Sequence, residues 1–110
     1  MKPEPVEGRT ALALFAAALA VHLPWHATPL PSDAGRYAYA GRMLRAGLVP
    51  YRDLVDNKPP LLFAVFGLLD ALGLDTPARL QAFGAACHGV SAVLAWRLAR
   101  ALAAPAGAIL

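Results

Sequence analysis

Two apolar stretches constrain this chain more than any other feature. Residues 10–27 contain no Asp, Glu, Lys or Arg, and neither do residues 80–96. A helix of about 18–20 residues rises roughly 30 Å, the thickness of a bilayer's hydrocarbon core. The pattern is not that of a compact soluble domain, in which about a quarter of the residues carry charge. Here 58% of the 110 residues are hydrophobic, 15% are charged and the mean hydropathy is +0.50. The expected class is all-α, with multi-pass transmembrane helices. An external loop carries an amphipathic interfacial helix, and the whole is the N-terminal piece of a larger bundle.

Taken in order, residues 1–9 are a polar cytoplasmic tip, with Lys2 and Arg9 set against Glu4 and Glu7. Residues 10–27 form the first span, ending at Pro24, Trp25 and His26, where a Trp suits the interface. A cleaved signal peptide is the rival reading, but HATPL (residues 26–30) is a poor cleavage site, so a retained anchor is expected. Residues 28–60 form the external loop, with an amphipathic helix over about 35–46 that Gly47 stops. Tyr37, Ala40, Gly41 and Leu44 share one face of that helix, which suits a membrane surface; Arg42 and Arg45 lie off it as headgroup contacts.

Leu61–Leu74 is too short to span easily and reads as an interfacial or partly inserted helix, entered through Pro59-Pro60 and stopped by Gly73. Asp70 inside it needs water or a partner. Asp75-Thr76-Pro77 marks a new helix start, and residues 77–98 form the second span, with a small-residue surface and closed by Arg97 and Arg100. Residues 101–110 read as the start of a further helix, truncated.

Orientation is contested within the sequence. Two basic residues precede the first span and five follow it before residue 60, which by count places the loop in the cytoplasm. Arg97 and Arg100 argue for the opposite orientation. We take the loop as external, its cations retained for an anionic substrate.

The loop is also where chemistry is expected. Residues 31–60 hold eight of the seventeen charged residues: Asp33, Arg36, Arg42, Arg45, Arg52, Asp53, Asp56 and Lys58. The small net charge of +3 is scattered, so no nucleic-acid partner is expected. His22, His26 and His88 are far apart and lack metal-ligand spacing, and the lone Cys87 forms no internal disulfide. With no phosphate-binding glycine loop, nucleophile elbow or Cys/His cluster, neither metal nor cofactor is expected.

The pattern DxGxYxY (Asp33 to Tyr39), then Gly47-x-VPYRD-x-x-DNKPP through Pro60, resembles the first external loop of GT-C class integral-membrane glycosyltransferases. The resemblance is to the branch related to protein mannosyltransferases and the lipid A aminoarabinose transferase, and it covers about a third of the chain. It implies transfer of a sugar from a polyprenyl-phosphate donor to an acceptor, a lipid, glycan or protein, on the outer face of a bacterial plasma membrane.

By that correspondence Asp33 is the catalytic carboxylate, general base or positioner for the acceptor hydroxyl. Lys58 contacts the donor phosphate, assisted by Arg52 as a fork donor. Tyr37, Asp53 and Asp56 line the site. Many relatives carry Asp-Glu where this chain has Asp33-Ala34, so one acidic group is missing.

Each residue also has a plainer reading. Asp33 suits a helix N-terminus, Lys58 suits a snorkelling helix anchor, and Arg52, Asp53 and Asp56 suit a solvated loop with local ion pairs. Tyr37, Tyr39 and Tyr51 suit an interfacial aromatic belt. Two other functions fit the same residues: a non-catalytic membrane scaffold or subunit, and a transporter fragment in which Asp33 and Asp70 line a path.

Overall fold

The computed structural model describes residues 5–26 and 28–103. Among these residues the chain is helical, with four α-helices and no strand. They are α1 (Pro5–His22), α2 (Ser32–Arg45), α3 (Pro60–Ala71) and α4 (Pro77–Ala103). A short 3-10 turn, Leu23–Trp25, follows α1. The contacts divide the chain into two compact units. One holds α1 and α4 from Ala82 onward; the other runs Trp25–Gln81.

The first unit is a helix pair. Ala and Leu favour helix intrinsically, and they dominate α1. Its Val6–Trp25 stretch is long and apolar enough to cross a membrane, and none of it is buried within the protein. A soluble core helix with this composition would be covered. Pro77–Ala103 is also long and apolar enough to cross, and little of it is buried.

Among the described residues, three of the contacts that join the two helices involve named side chains. Arg100 donates to Glu7 Oε1, the Phe15 ring fills the space beside the bare Cα of Gly89, and His22 meets His88. Rising numbers on α1 meet falling numbers on α4 from Arg100 to Gly89 and His88, so the helices run antiparallel. Arg100 also lies 5.2 Å over the Trp96 ring, a cation–π contact at the closing end of α4.

The second unit packs α2 closely against α3, with partner numbers rising together from Tyr37–Phe66 through Gly41–Gly67 to Arg45–Asp70. Each helix ends in a Schellman turn at a left-handed glycine, Gly47 (φ 93°) and Gly73 (φ 69°). In the first turn Leu48 N–H donates to Met43 O and Gly47 N–H to Leu44 O. In the second, Leu74 N–H donates to Leu69 O and Gly73 N–H to Asp70 O. Proline sets the starts: Pro31 precedes α2, Pro59 precedes α3, and Pro60 sits where its missing N–H costs nothing. At α4, Thr76 Oγ1 accepts from Arg79 N–H at 3.4 Å, an N-cap followed by Pro77.

Helices α2 and α3 meet backbone to backbone. A Cβ on Gly41 would lie 2.5 Å from both Gly67 N and the Phe66 carbonyl carbon. One on Gly67 would lie 3.3 Å from Gly41 O. Phe63, 1% exposed, anchors the contact with Ala40 and Leu69. Tyr37 packs on Phe66 (centroids 5.7 Å) and the Tyr51 ring meets Phe63 edge-on (6.1 Å).

Several boundaries differ from the sequence expectation. Helix α1 begins at Pro5, inside the segment read as a polar tip, whose residues 1–4 lie outside the described residues. Helix α2 begins at Ser32 rather than residue 35, because Pro31 supplies the entry and Gly35 N–H bonds back to Pro31 O. Helix α3 ends at Ala71, where the Gly73 turn begins. Helix α4 continues through residue 98 to Ala103, taking in the first residues read as a separate helix; residues 104–110 lie outside the described residues. The Tyr37/Ala40/Gly41/Leu44 face of α2 packs on α3 rather than presenting itself to a membrane surface.

Replacing Gly41 with valine forces the helices apart, since the atoms in the way are backbone. The expected cost is about 1–3 kcal/mol, measured as a lower thermal midpoint in detergent by circular dichroism. An unchanged midpoint rules out the close Gly41–Gly67 contact.

Candidate functional site

The candidate residues all lie in the Trp25–Gln81 unit, where the charges sort themselves by partner. Arg45 and Arg42 project from the last turn of α2 toward α3. Arg45 Nη1 donates to Asp70 Oδ2 at 2.5 Å, and Arg42 reaches both Asp70 (3.6 Å) and Asp75 (2.8 Å). These arginines therefore clamp α2 to α3 and to the segment that follows it, where the sequence suggested headgroup contacts. They are also the partner that Asp70 requires. The Arg45 hydrogen bond holds the Asp70 carboxyl below the usual carboxylate range, with the charges of Arg45 and Arg42 adding to it against the cost of burial.

The VPYRD segment forms a compact turn. Asp53 N–H donates to Val49 O at 3.0 Å, and Asp53 Oδ2 accepts from Val49 N–H at 2.8 Å. Tyr51 sits at φ 66°, a left-handed conformation that costs a non-glycine residue about 1 kcal/mol or more. Two anchors hold it there: its hydroxyl donates to Lys58 O at 2.5 Å, and its ring meets Phe63. Arg52 forks onto Asp53 through Nε (2.8 Å) and Nη2 (2.7 Å). That pairing raises the Arg52 pKa and, with the Val49 N–H, lowers that of Asp53. Arg52 is thus committed to its neighbour.

Asp56 organises the DNKPP segment. Its side chain is only 7% exposed. Oδ1 accepts the backbone N–H groups of Asn57 (2.7 Å) and Lys58 (3.2 Å), and Oδ2 accepts from Arg36 at 3.2 Å. Arg36 lies three residues after Asp33 on α2, one turn along the same face. The Arg36–Asp56 bridge therefore ties the start of α2 to the segment that carries Lys58.

No known protein family, curated protein or solved structure matches this chain.

Among the described residues of this unit, two charged side chains have no polar partner: Asp33 in the first turn of α2, and Lys58. Arg36, Arg42, Arg45 and Arg52 are all in ion pairs, and Arg79 donates to Gly73 O. Of the aromatic candidates, Tyr37 and Tyr51 are packed on phenylalanines, while Tyr39 is 55% exposed. A small apolar recess beneath the turn, lined by Ala40, Met43, Leu48, Leu54 and Phe63, contains none of the polar candidates.

Sequence reasoning missed two groupings. The Arg42–Arg45–Asp70–Asp75 cluster had a partial signal, two basic residues three apart on α2 and an acid stranded in an apolar helix. The His22–His88 contact had none, because 66 residues separate the partners.

The Asp70 clamp has a definite pH dependence. A carboxylate whose folded pKa is depressed stabilises the fold above its unfolded value, near 3.9, and loses that contribution as pH falls through the folded pKa. Thermal midpoints should fall between pH 6 and pH 3. Asp70→Asn should lower the midpoint at pH 6 and flatten this fall. A variant with the wild-type midpoint at pH 6 shows that the clamp contributes nothing.

Proposed function

We propose that this chain is part of a multi-pass GT-C class glycosyltransferase that moves a sugar from a polyprenyl-phosphate donor to an acceptor on the outer face of a bacterial plasma membrane. One observation carries the reading beyond the motif. Asp33 and Lys58, the residues with catalytic and phosphate-binding counterparts in the family, are the charged side chains of their unit left without a polar partner among the described residues. A structural salt bridge would have consumed them, as it consumes the four arginines nearby.

The chemistry follows from these positions. Asp33 accepts the proton of the acceptor hydroxyl as its oxygen attacks the anomeric carbon. The bond from that carbon to the phosphate oxygen breaks on the opposite side, with inversion. The polyprenyl phosphate leaves with negative charge that the Lys58 ammonium offsets. Asp56 fixes the Lys58 backbone, and the Tyr51–Lys58 hydrogen bond holds the same segment from the other side. Arg52, fully paired to Asp53, contributes to the phosphate only by exchanging that partner. Tyr37, Asp53 and Asp56 act through the wall of the site. The 28–60 loop lies outside the membrane in this scheme, and other loops and spans complete the carrier groove, so the 110 residues alone are inactive.

The test uses membranes from cells expressing the full open reading frame, supplied with radiolabelled polyprenyl-phosphate-linked hexoses and pentoses. Asp33→Asn and Lys58→Ala should each lower transfer by roughly 10²-fold or more, with the protein retained in the membrane. Arg36→Gln, which removes only a positioning bridge, should cost less. Wild-type rates in both principal variants, or no transfer from any donor, overturn the reading.

A further inference from the structure

In the helix pair formed by α1 and α4, His88 Nδ1 and His22 Nε2 lie 2.8 Å apart. The ring planes are 11° apart with centroids 4.7 Å apart, so the two facing nitrogens share a hydrogen bond. Neither imidazole has another hydrogen-bond partner among the described residues. His22 lies roughly 22 Å along α1 from Glu7, at 1.5 Å per residue, within the stretch apolar enough to cross a membrane. A polar pair in such a segment is functional by default, because it is costly to keep there.

The helices also meet where the Phe15 ring lies against Gly89 and, at the opposite end, through the Glu7–Arg100 pair. We infer that the His22–His88 hydrogen bond is a proton-operated latch between α1 and α4, closed near neutral pH and opened by acid.

The bond needs one facing nitrogen to carry a hydrogen and the other to carry a lone pair. A neutral pair satisfies this, and so does a pair with one added proton. A second added proton puts hydrogen on both facing nitrogens. The bond is then lost and two cations face each other at 2.8 Å.

Closed, the latch holds at most one extra proton; open, with the rings apart, it holds two. Acidification therefore drives opening, by up to about tenfold per pH unit for a one-proton difference. The other ionisable groups on these helices are Glu7, Arg9, Arg79, Cys87, Arg97 and Arg100, and none of them is in the His22–His88 hydrogen bond. The inference stands apart from the glycosyltransferase reading.

The test measures the separation of α1 and α4 in the full chain, reconstituted in phosphatidylcholine nanodiscs. Nitroxide labels at Leu12→Cys and Leu94→Cys, both exposed positions, report the distance in a Cys87→Ser background. Between pH 8 and pH 5 a longer-distance population should appear and grow as pH falls, by up to about tenfold per unit. His22→Gln and His88→Gln each keep a donor and an acceptor that do not titrate, and should show a distance independent of pH. His26→Gln should respond as wild type does. A wild-type distance unchanged down to pH 5 overturns the latch without recourse to any histidine variant. A pH response that survives in both the His22→Gln and His88→Gln proteins also overturns it.

Discussion

The contact of Gly41 with Gly67 underlies everything else in the Trp25–Gln81 unit. Two bare Cα atoms let the backbones of α2 and α3 touch, a separation no other residue pair permits. Arg42 and Arg45, near the end of α2, reach Asp70 in the last turn of α3 and Asp75 just past it. The same approach packs Tyr37 on Phe66 and seals Phe63. The α2–α3 pair thus gains its core and its ion-pair clamp from one steric allowance. A carboxylate at position 70, costly in an apolar helix, becomes affordable because two guanidinium groups are held over it.

The clamp and the turns also decide which charges remain available for chemistry. Short-range pairing takes Arg52 with Asp53, and longer-range pairing takes Arg36 with Asp56. Each such pair lowers the ability of its members to recognise anything else. Asp33 and Lys58 stay outside this economy, one at the start of α2 and the other where the chain turns into α3 through two prolines. The Lys58 backbone is fixed from both sides, by Asp56 and by Tyr51, while its ammonium has no polar partner among the described residues. A rigid backbone carrying an uncommitted charge is an arrangement suited to binding, and it motivates the proposed role.

The helix pair of α1 and α4 follows a different logic. Its surfaces are apolar and outward-facing, so the hydrophobic effect does little to hold the helices together if lipid surrounds them. Specificity then falls to polar and close contacts, among them Glu7 with Arg100, Phe15 against Gly89, and His22 with His88.

Local chemistry determined much of this protein from sequence alone. Helical class, two apolar helices long enough to cross a membrane, and helix stops at Gly47 and Gly73 all follow from short-range rules: composition over one helix length, and the conformational freedom of glycine. The candidate site was legible only as a cluster of polar residues in the 31–60 stretch, because a motif names residue types and cannot say which charges neutralise one another. The tertiary structure made that division, pairing Arg45 with Asp70 across 25 residues and leaving Asp33 and Lys58 without polar partners among the described residues. It turned the Tyr37–Leu44 face of α2 toward α3, since a face apolar enough to meet a membrane is equally able to meet a helix. It also brought His22 to His88, a contact with no trace in local sequence, because chain separation carries no information about which helix faces will pack.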